Sequence, residues 1–126
     1  MWDYMSKVQN DLSFTMRTTL IDWLVEVAQE YNLRRQTLYL TVNYVDRYLS
    51  CKTISRSRLQ LVGITCMWLA AKYEELDPPT ADEFVYIADN TYTRDEVCAI
   101  CNIPLLACIR YVSYNIISCT LHMTSL

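Results

Sequence analysis

Apolar residues recur along this chain at helical spacing in five successive segments. Between positions 15 and 31, Leu20, Leu24, Val27 and Tyr31 fall at i, i+4, i+7 and i+11, with Ile21 and Ala28 beside them. That is the stripe of a core-facing helix. A second row, Met16, Thr19, Leu20, Trp23 and Glu26, runs along a neighbouring face. A helix apolar on two rows is either central to its domain or presents the second row to something else. Ser13 or Thr15 can cap its start, and Asn32-Leu33 closes it.

A second helix is predicted over residues 35–50, with Leu38, Val42, Val45 and Leu49 as its stripe, Tyr44 and Tyr48 flanking it, and Asn43, Asp46 and Arg47 on its polar side. Ser55 is placed to cap a third helix over 56–73, whose stripe is Leu59, Val62, Cys66, Leu69 and Tyr73. Gly63 sits inside that helix, where it costs about 1 kcal/mol against Ala. Close helix packing is the expected compensation, which makes this the central helix. Glu74-Glu75-Leu76-Asp77-Pro78-Pro79 ends it. Thr80-Ala81-Asp82-Glu83 and Thr93-Arg94-Asp95-Glu96 each read as a capping box opening a further helix. Residues 1–12 form a short amphipathic lead-in. The chain opens inside a patterned segment, so a longer parent chain is expected.

Composition supports this reading. The chain has 126 residues, 52% of them apolar and 20% charged, with one Gly and three Pro. So little punctuation suits helices joined by short loops, and so apolar a chain is not disordered. The formal charge is −3 with scattered Lys and Arg, which does not supply the basic stripe of a nucleic-acid footprint. Neither a signal-peptide pattern nor a membrane-length apolar run is present. A soluble intracellular protein with reduced thiols is therefore expected.

The composition changes at Val97. Residues 98–126 hold four of the six Cys, the lone His122 and a single charge, Arg110. Pro104 is expected to stop the fifth helix. Leu105, Ile109, Val112 and Ile116 fit a helical face, while the β-branched and Tyr-rich run 109–117 equally fits a strand. The division is a lead-in at 1–14, a helical domain at 15–97 and a Cys-rich apolar tail at 98–126.

Catalytic chemistry finds little footing. One Gly cannot build a phosphate loop, and residues 1–97 contain no His for nucleophilic catalysis. Glu74, Glu75 and Asp77 are adjacent acids, best read as a solvated helix end, because nothing nearby is built to desolvate one of them. Cys98, Cys101, Cys119 and His122 have spacings within the range of zinc ribbons, but neither turn carries a Gly, and buried free thiols are the preferred reading. No cofactor is implied.

Five linked stretches resemble one family. Met16-Arg17-x-x-Leu20-Ile21-Asp22-Trp23-Leu24-Val25-Glu26-Val27 resembles the opening helix signature of cyclins. Thr37 to Ser50, with Asn43-Tyr44-Val45-Asp46-Arg47, resembles the second cyclin-box helix. Leu59-Gln60-Leu61-Val62-Gly63 and Ala70-Ala71-Lys72-Tyr73-Glu74-Glu75-Leu76 resemble the start and end of the third. Glu83-Phe84-Val85-Tyr86-Ile87 and Asn90-Thr91-Tyr92-Thr93 resemble the part of the cyclin box after that helix. The wording is closest to mitotic A- or B-type cyclins, with an A-type lean.

The resemblance implies an all-α five-helix cyclin box with a central third helix. It implies a non-enzymatic regulatory subunit, in nucleus and cytoplasm, that allosterically activates a cyclin-dependent kinase controlling mitotic progression. Neither nucleic acid nor membrane is an implied partner. Residue by residue, Lys72 matches the lysine that reaches kinase backbone carbonyls, with Leu69 and Tyr73 as apolar kinase contacts. Met16, Leu20, Trp23, Glu26, Leu59 and Gln60 match the patch that docks Arg-x-Leu motifs of substrates and inhibitors. Arg17 and Asp46 match an ion pair bracing the first two helices. Two departures stand out. Thr19 replaces a frequent aliphatic residue in the docking wall, and after Val97 the family's charged fifth-helix continuation is absent. An incomplete or altered fifth helix is expected, and with it the alternative of a truncated interaction module unable to activate a kinase.

Overall fold

The computed structural model describes residues 4–101. Its helices are α1 (Tyr4–Lys7), α2 (Phe14–Glu30), α3 (Arg35–Cys51), α4 (Leu59–Glu74), α5 (Ala81–Ile87) and α6 (Arg94–Ile100), with a 3-10 turn at Arg56–Arg58 before α4. There is no strand among the described residues. None of their helices is long and apolar enough to cross a membrane.

Local chemistry sets most of the helix ends. Ser13, not Thr15, caps α2, its Oγ accepting from Met16 N–H at 3.3 Å. Asn32 closes the helix in the left-handed region (φ 53°), which lets Leu33 N–H reach back to Ala28 C=O at 2.8 Å. Both capping boxes form. Thr80 Oγ1 accepts from Glu83 N–H at 3.2 Å while Glu83 accepts from Thr80 N–H at 2.9 Å. Thr93 and Glu96 do the same at 3.1 and 3.0 Å.

α4 is the hub. Leu61 through Met67 are all buried, and the helix packs against α2, α3, α5 and α6. It begins at Leu59, not at 56. Ser55 makes no side-chain cap: its hydroxyl pairs with that of Ser57 at 3.0 Å, while Arg56 N–H donates to Asp11 at 2.8 Å.

Gly63 is the point of close packing. A Cβ there would lie 2.7 Å from Leu20 Cδ1 on α2. Because that atom ends a flexible side chain, Gly63→Ala is expected to change stability by less than about 1 kcal/mol. The helix-propensity gain of about 1 kcal/mol offsets a displaced Leu20 rotamer. Gly63→Val is expected to destabilise by about 2 kcal/mol through overpacking. Urea denaturation of both variants checks this ordering.

The face of α3 differs from the predicted one. Leu38 and Val42 are only half-buried, whereas Thr37, Thr41 and Asp46 are buried with Tyr44, Val45, Tyr48 and Leu49. The polar residues can face inward because they are paired: Thr41 Oγ1 donates to Thr37 C=O at 2.7 Å, and Asp46 accepts from Arg17 and Tyr4. The segment around α1 closes the far end of α3. Gln9 Nε2 donates to Leu49 C=O and Lys52 C=O, both at 2.6 Å, serving carbonyls at the helix end.

α6 continues past the composition break at Val97, with Val97, Ile100 and Cys101 buried. The Pro104 stop, the helix-or-strand alternative at 105–117, Cys119 and His122 lie outside the described residues.

Candidate functional site

The second row of α2 faces a groove of about 580 Å³ between α2 and the start of α4. Met16, Thr19, Leu20 and Trp23 line it from α2, Leu59 and Gln60 from α4, and Arg56 from the 3-10 turn. Leu20 and Leu59 are buried at its base, while Met16 and Trp23 are half-buried. Thr19 spends its hydroxyl proton inside α2, donating to Thr15 C=O at 2.9 Å, so it offers the groove no free donor. Glu26 does not line the groove. It lies exposed on α2, three positions past Trp23. Arg56 is matched by Asp11, with its guanidinium 2.9 Å from Oδ1, and this hydrogen bonding holds the Asp11 carboxyl below its ordinary range.

At the other end of α4, Leu69, Lys72 and Tyr73 fall on one face of its last turns. Leu69 is half-buried, Lys72 is exposed, and Tyr73 is 77% exposed. Lys72 Nζ stands 3.7 Å from the centroid of the Trp68 ring. Such a contact contributes about 0.5–1 kcal/mol at an exposed site and restricts where the ammonium points. Leu76, 93% exposed, adds an apolar side chain just beyond the helix.

The acidic run after Tyr73 is not simply solvated. Glu75 is half-buried, and its carboxylate accepts from Arg34 N–H at 2.9 Å and from the Thr37 hydroxyl. Periodicity could not have found this contact, since it joins residues 41 positions apart.

Arg17 and Asp46 tie α2 to α3 through a two-pronged bridge. Arg17 Nε and Nη2 donate to the two Asp46 carboxylate oxygens, each at 2.9 Å. Tyr4 O–H donates to Asp46 Oδ1 at 2.6 Å, so α1 joins the same carboxylate. The Asp46 side chain is 5% exposed and that of Arg17 26%. Burial, followed by the bond to Asp46, raises the Tyr4 pKa well above the ordinary phenol range.

Of the four residues with metal-ligand spacing, Cys98 is half-buried on the last turn of α6 and Cys101 is buried just after it. Burial pushes the Cys101 thiol up, away from the thiolate a metal needs. Among the described residues no group of three or more His, Cys, Asp or Glu is placed to hold a metal.

Known proteins share both the sequence pattern and the fold. The family model for the cyclin N-terminal domain matches residues 2–103. Putative cyclin-A3-1 of Arabidopsis thaliana is 57% identical over 95 residues, which is 75% of this chain and 27% of that protein. Cyclin-A1-2 of Oryza sativa subsp. japonica is 62% identical over 95 residues, 75% of this chain and 20% of that protein. The chain thus spans only about a fifth to a quarter of these curated relatives. The X-ray structure of a viral cyclin from herpesvirus saimiri superposes with a TM-score of 0.75 at 21% identity, covering 87% of this chain and 49% of the other. That likeness gives the fold, and the sequence relatives give the type: the chain belongs to the cyclin family, carrying an N-terminal cyclin box of A-type character.

Proposed function

We propose that this cyclin box binds a cyclin-dependent kinase as its regulatory subunit, in nucleus and cytoplasm, and acts in mitotic progression. The observation that carries the reading is the end of α4, where one restrained cation, Lys72 over Trp68, stands beside exposed Tyr73 and Leu76. Exposed apolar side chains around a single aimed donor suit a partner that offers a hydrophobic face and unpaired backbone carbonyls. A regulator with such a face activates by binding one arrangement of the kinase better than another, so its effect is bounded by that difference in affinity. The groove between α2 and α4 docks Arg-x-Leu peptides on the same reading. The peptide's Leu enters among Met16, Leu20, Trp23 and Leu59, and Glu26 meets its Arg.

Lys72→Ala is expected to weaken kinase binding by about tenfold or more, the value of a hydrogen bond from a charged donor. Titration calorimetry of the full chain against a purified cyclin-dependent kinase measures it. Equal affinities would remove Lys72 from the interface. The loss of charge after Val97 favours a second reading, in which the chain binds the kinase without activating it. Phosphorylation of a peptide substrate, followed in the same titration, separates the two: rate rising with occupancy supports activation, and a flat rate supports a binding module.

A further inference from the structure

We infer that Glu75 is a positioning residue for the kinase-binding end of α4, an inference that rests on the proposed role of Lys72. α4 ends without the usual closure. Its C-cap residue, Glu75, is extended (φ −95°, ψ 145°), and none of the residues directly after it is left-handed. A helix end of this kind leaves its last carbonyls to water and frays. Lys72 and Tyr73 lie within that last turn, and Lys72 has the Trp68 ring as its restraint.

The start of α3 has a complementary deficit. Its N-cap residue, Arg34, makes no side-chain cap. Glu75, the residue that follows α4, supplies an acceptor there: it takes the Arg34 N–H at 2.9 Å and the hydroxyl of Thr37, the third residue of α3. The bond to Arg34 N–H is the half of a capping box that serves the N-cap amide, made here by a residue from outside the helix. A carboxylate at a helix N-terminus is also favoured by the helix dipole. The α3 start gains an acceptor for its N-cap amide, and the α4 end gains an anchor to a buried residue, Thr37 at 0% exposure. The last turn of α4, with Lys72 on it, is thereby fixed against α3, the element on which α4 packs most extensively.

The test compares Glu75→Ala and Glu75→Gln with the native chain. Gln keeps an oxygen acceptor for both donors, so it should restore much of what Ala removes. The first measurement needs no kinase: the methylene protons next to Lys72 Nζ should show an upfield ring-current shift from Trp68 by NMR. Glu75→Ala is expected to lose most of that shift and Glu75→Gln to keep it. The second is kinase affinity by calorimetry, at a temperature where circular dichroism shows all variants folded. Ala is expected to weaken binding about tenfold, with Gln close to native. A Lys72 shift unchanged in Glu75→Ala would overturn the inference. So would a lost shift with unchanged affinity, given native binding that depends on Lys72. If Lys72→Ala binds as tightly as native, the proposed role of Lys72 fails on that control alone, and the ring-current shift still decides whether Glu75 holds the α4 end.

Discussion

Asp46→Ala is expected to destabilise the domain by about 3 kcal/mol, the low end of what removing one partner from a buried ion pair costs. The carboxylate serves three donors from two other helices: Arg17 Nε and Nη2 on α2, and Tyr4 O–H on α1. Its loss strands a guanidinium and a buried phenol together. The low end applies because Arg17 keeps 26% of its side chain in solvent and can recover some hydration. With a total stability of about 5–15 kcal/mol for an ordinary domain, this one change removes a large share. Urea denaturation followed by circular dichroism measures it. Asp46→Asn should cost less, since the amide retains an acceptor, and Tyr4→Phe should cost about 1 kcal/mol, a single hydrogen bond. A loss below about 1 kcal/mol for Asp46→Ala would mean that the bridge forms without bracing the fold.

The residues of this bridge mark the boundary between what the chain discloses locally and what only the fold discloses. Features encoded within a few residues were legible. Both Thr-x-x-Glu capping boxes form where the sequence placed them, and the stripe Leu20, Leu24, Val27 of α2 is buried. Gly63 does mark the close approach of α2 to α4. Features that depend on a distant partner were not legible from periodicity, and of them only the Arg17–Asp46 bridge was given in advance, by the family resemblance. Asp46 reads as polar by periodicity and is buried, because the donors that satisfy it come from 29 and 42 positions away. Thr37 and Thr41 stand one position before Leu38 and Val42 of the predicted stripe and outside it, yet they form part of the buried face of α3. Glu75 reads as one of a solvated acidic run, and its partners are on α3 or at its N-cap. Hydropathy records what a side chain prefers in isolation. Polar burial is decided by the pairing that the tertiary fold provides.

The two rows of α2 also separate once the fold is known. Leu20 belongs to both, and it does both jobs: it is 6% exposed and forms part of the groove. Met16 and Trp23 pack against the core along one side and line the groove with the other. Periodicity could not choose between core and surface for them, because half-burial is both. Glu26 continues their row in sequence but stands outside the groove itself.

That geometry ranks the groove residues by expected effect on peptide docking. Trp23→Ala is expected to weaken binding of an Arg-x-Leu peptide by at least about 2 kcal/mol, some thirtyfold, because a large aromatic wall in a concave apolar site is the usual anchor of such an interface. Glu26→Gln should cost less than about 1 kcal/mol, since its carboxylate is exposed and any pair it forms is screened. Fluorescence anisotropy with a labelled peptide, at two salt concentrations, measures both. Trp23→Ala should lose affinity equally at either salt, while the smaller effect of Glu26→Gln should shrink as salt rises. Kinase binding measured without peptide should be unchanged in both variants, because Trp23 and Glu26 lie on α2, whereas the proposed kinase face is the far end of α4. If Glu26→Gln proves the more damaging substitution, the groove is an electrostatic site and its apolar wall is not what holds the peptide. If neither substitution changes affinity, peptide docking does not use this groove.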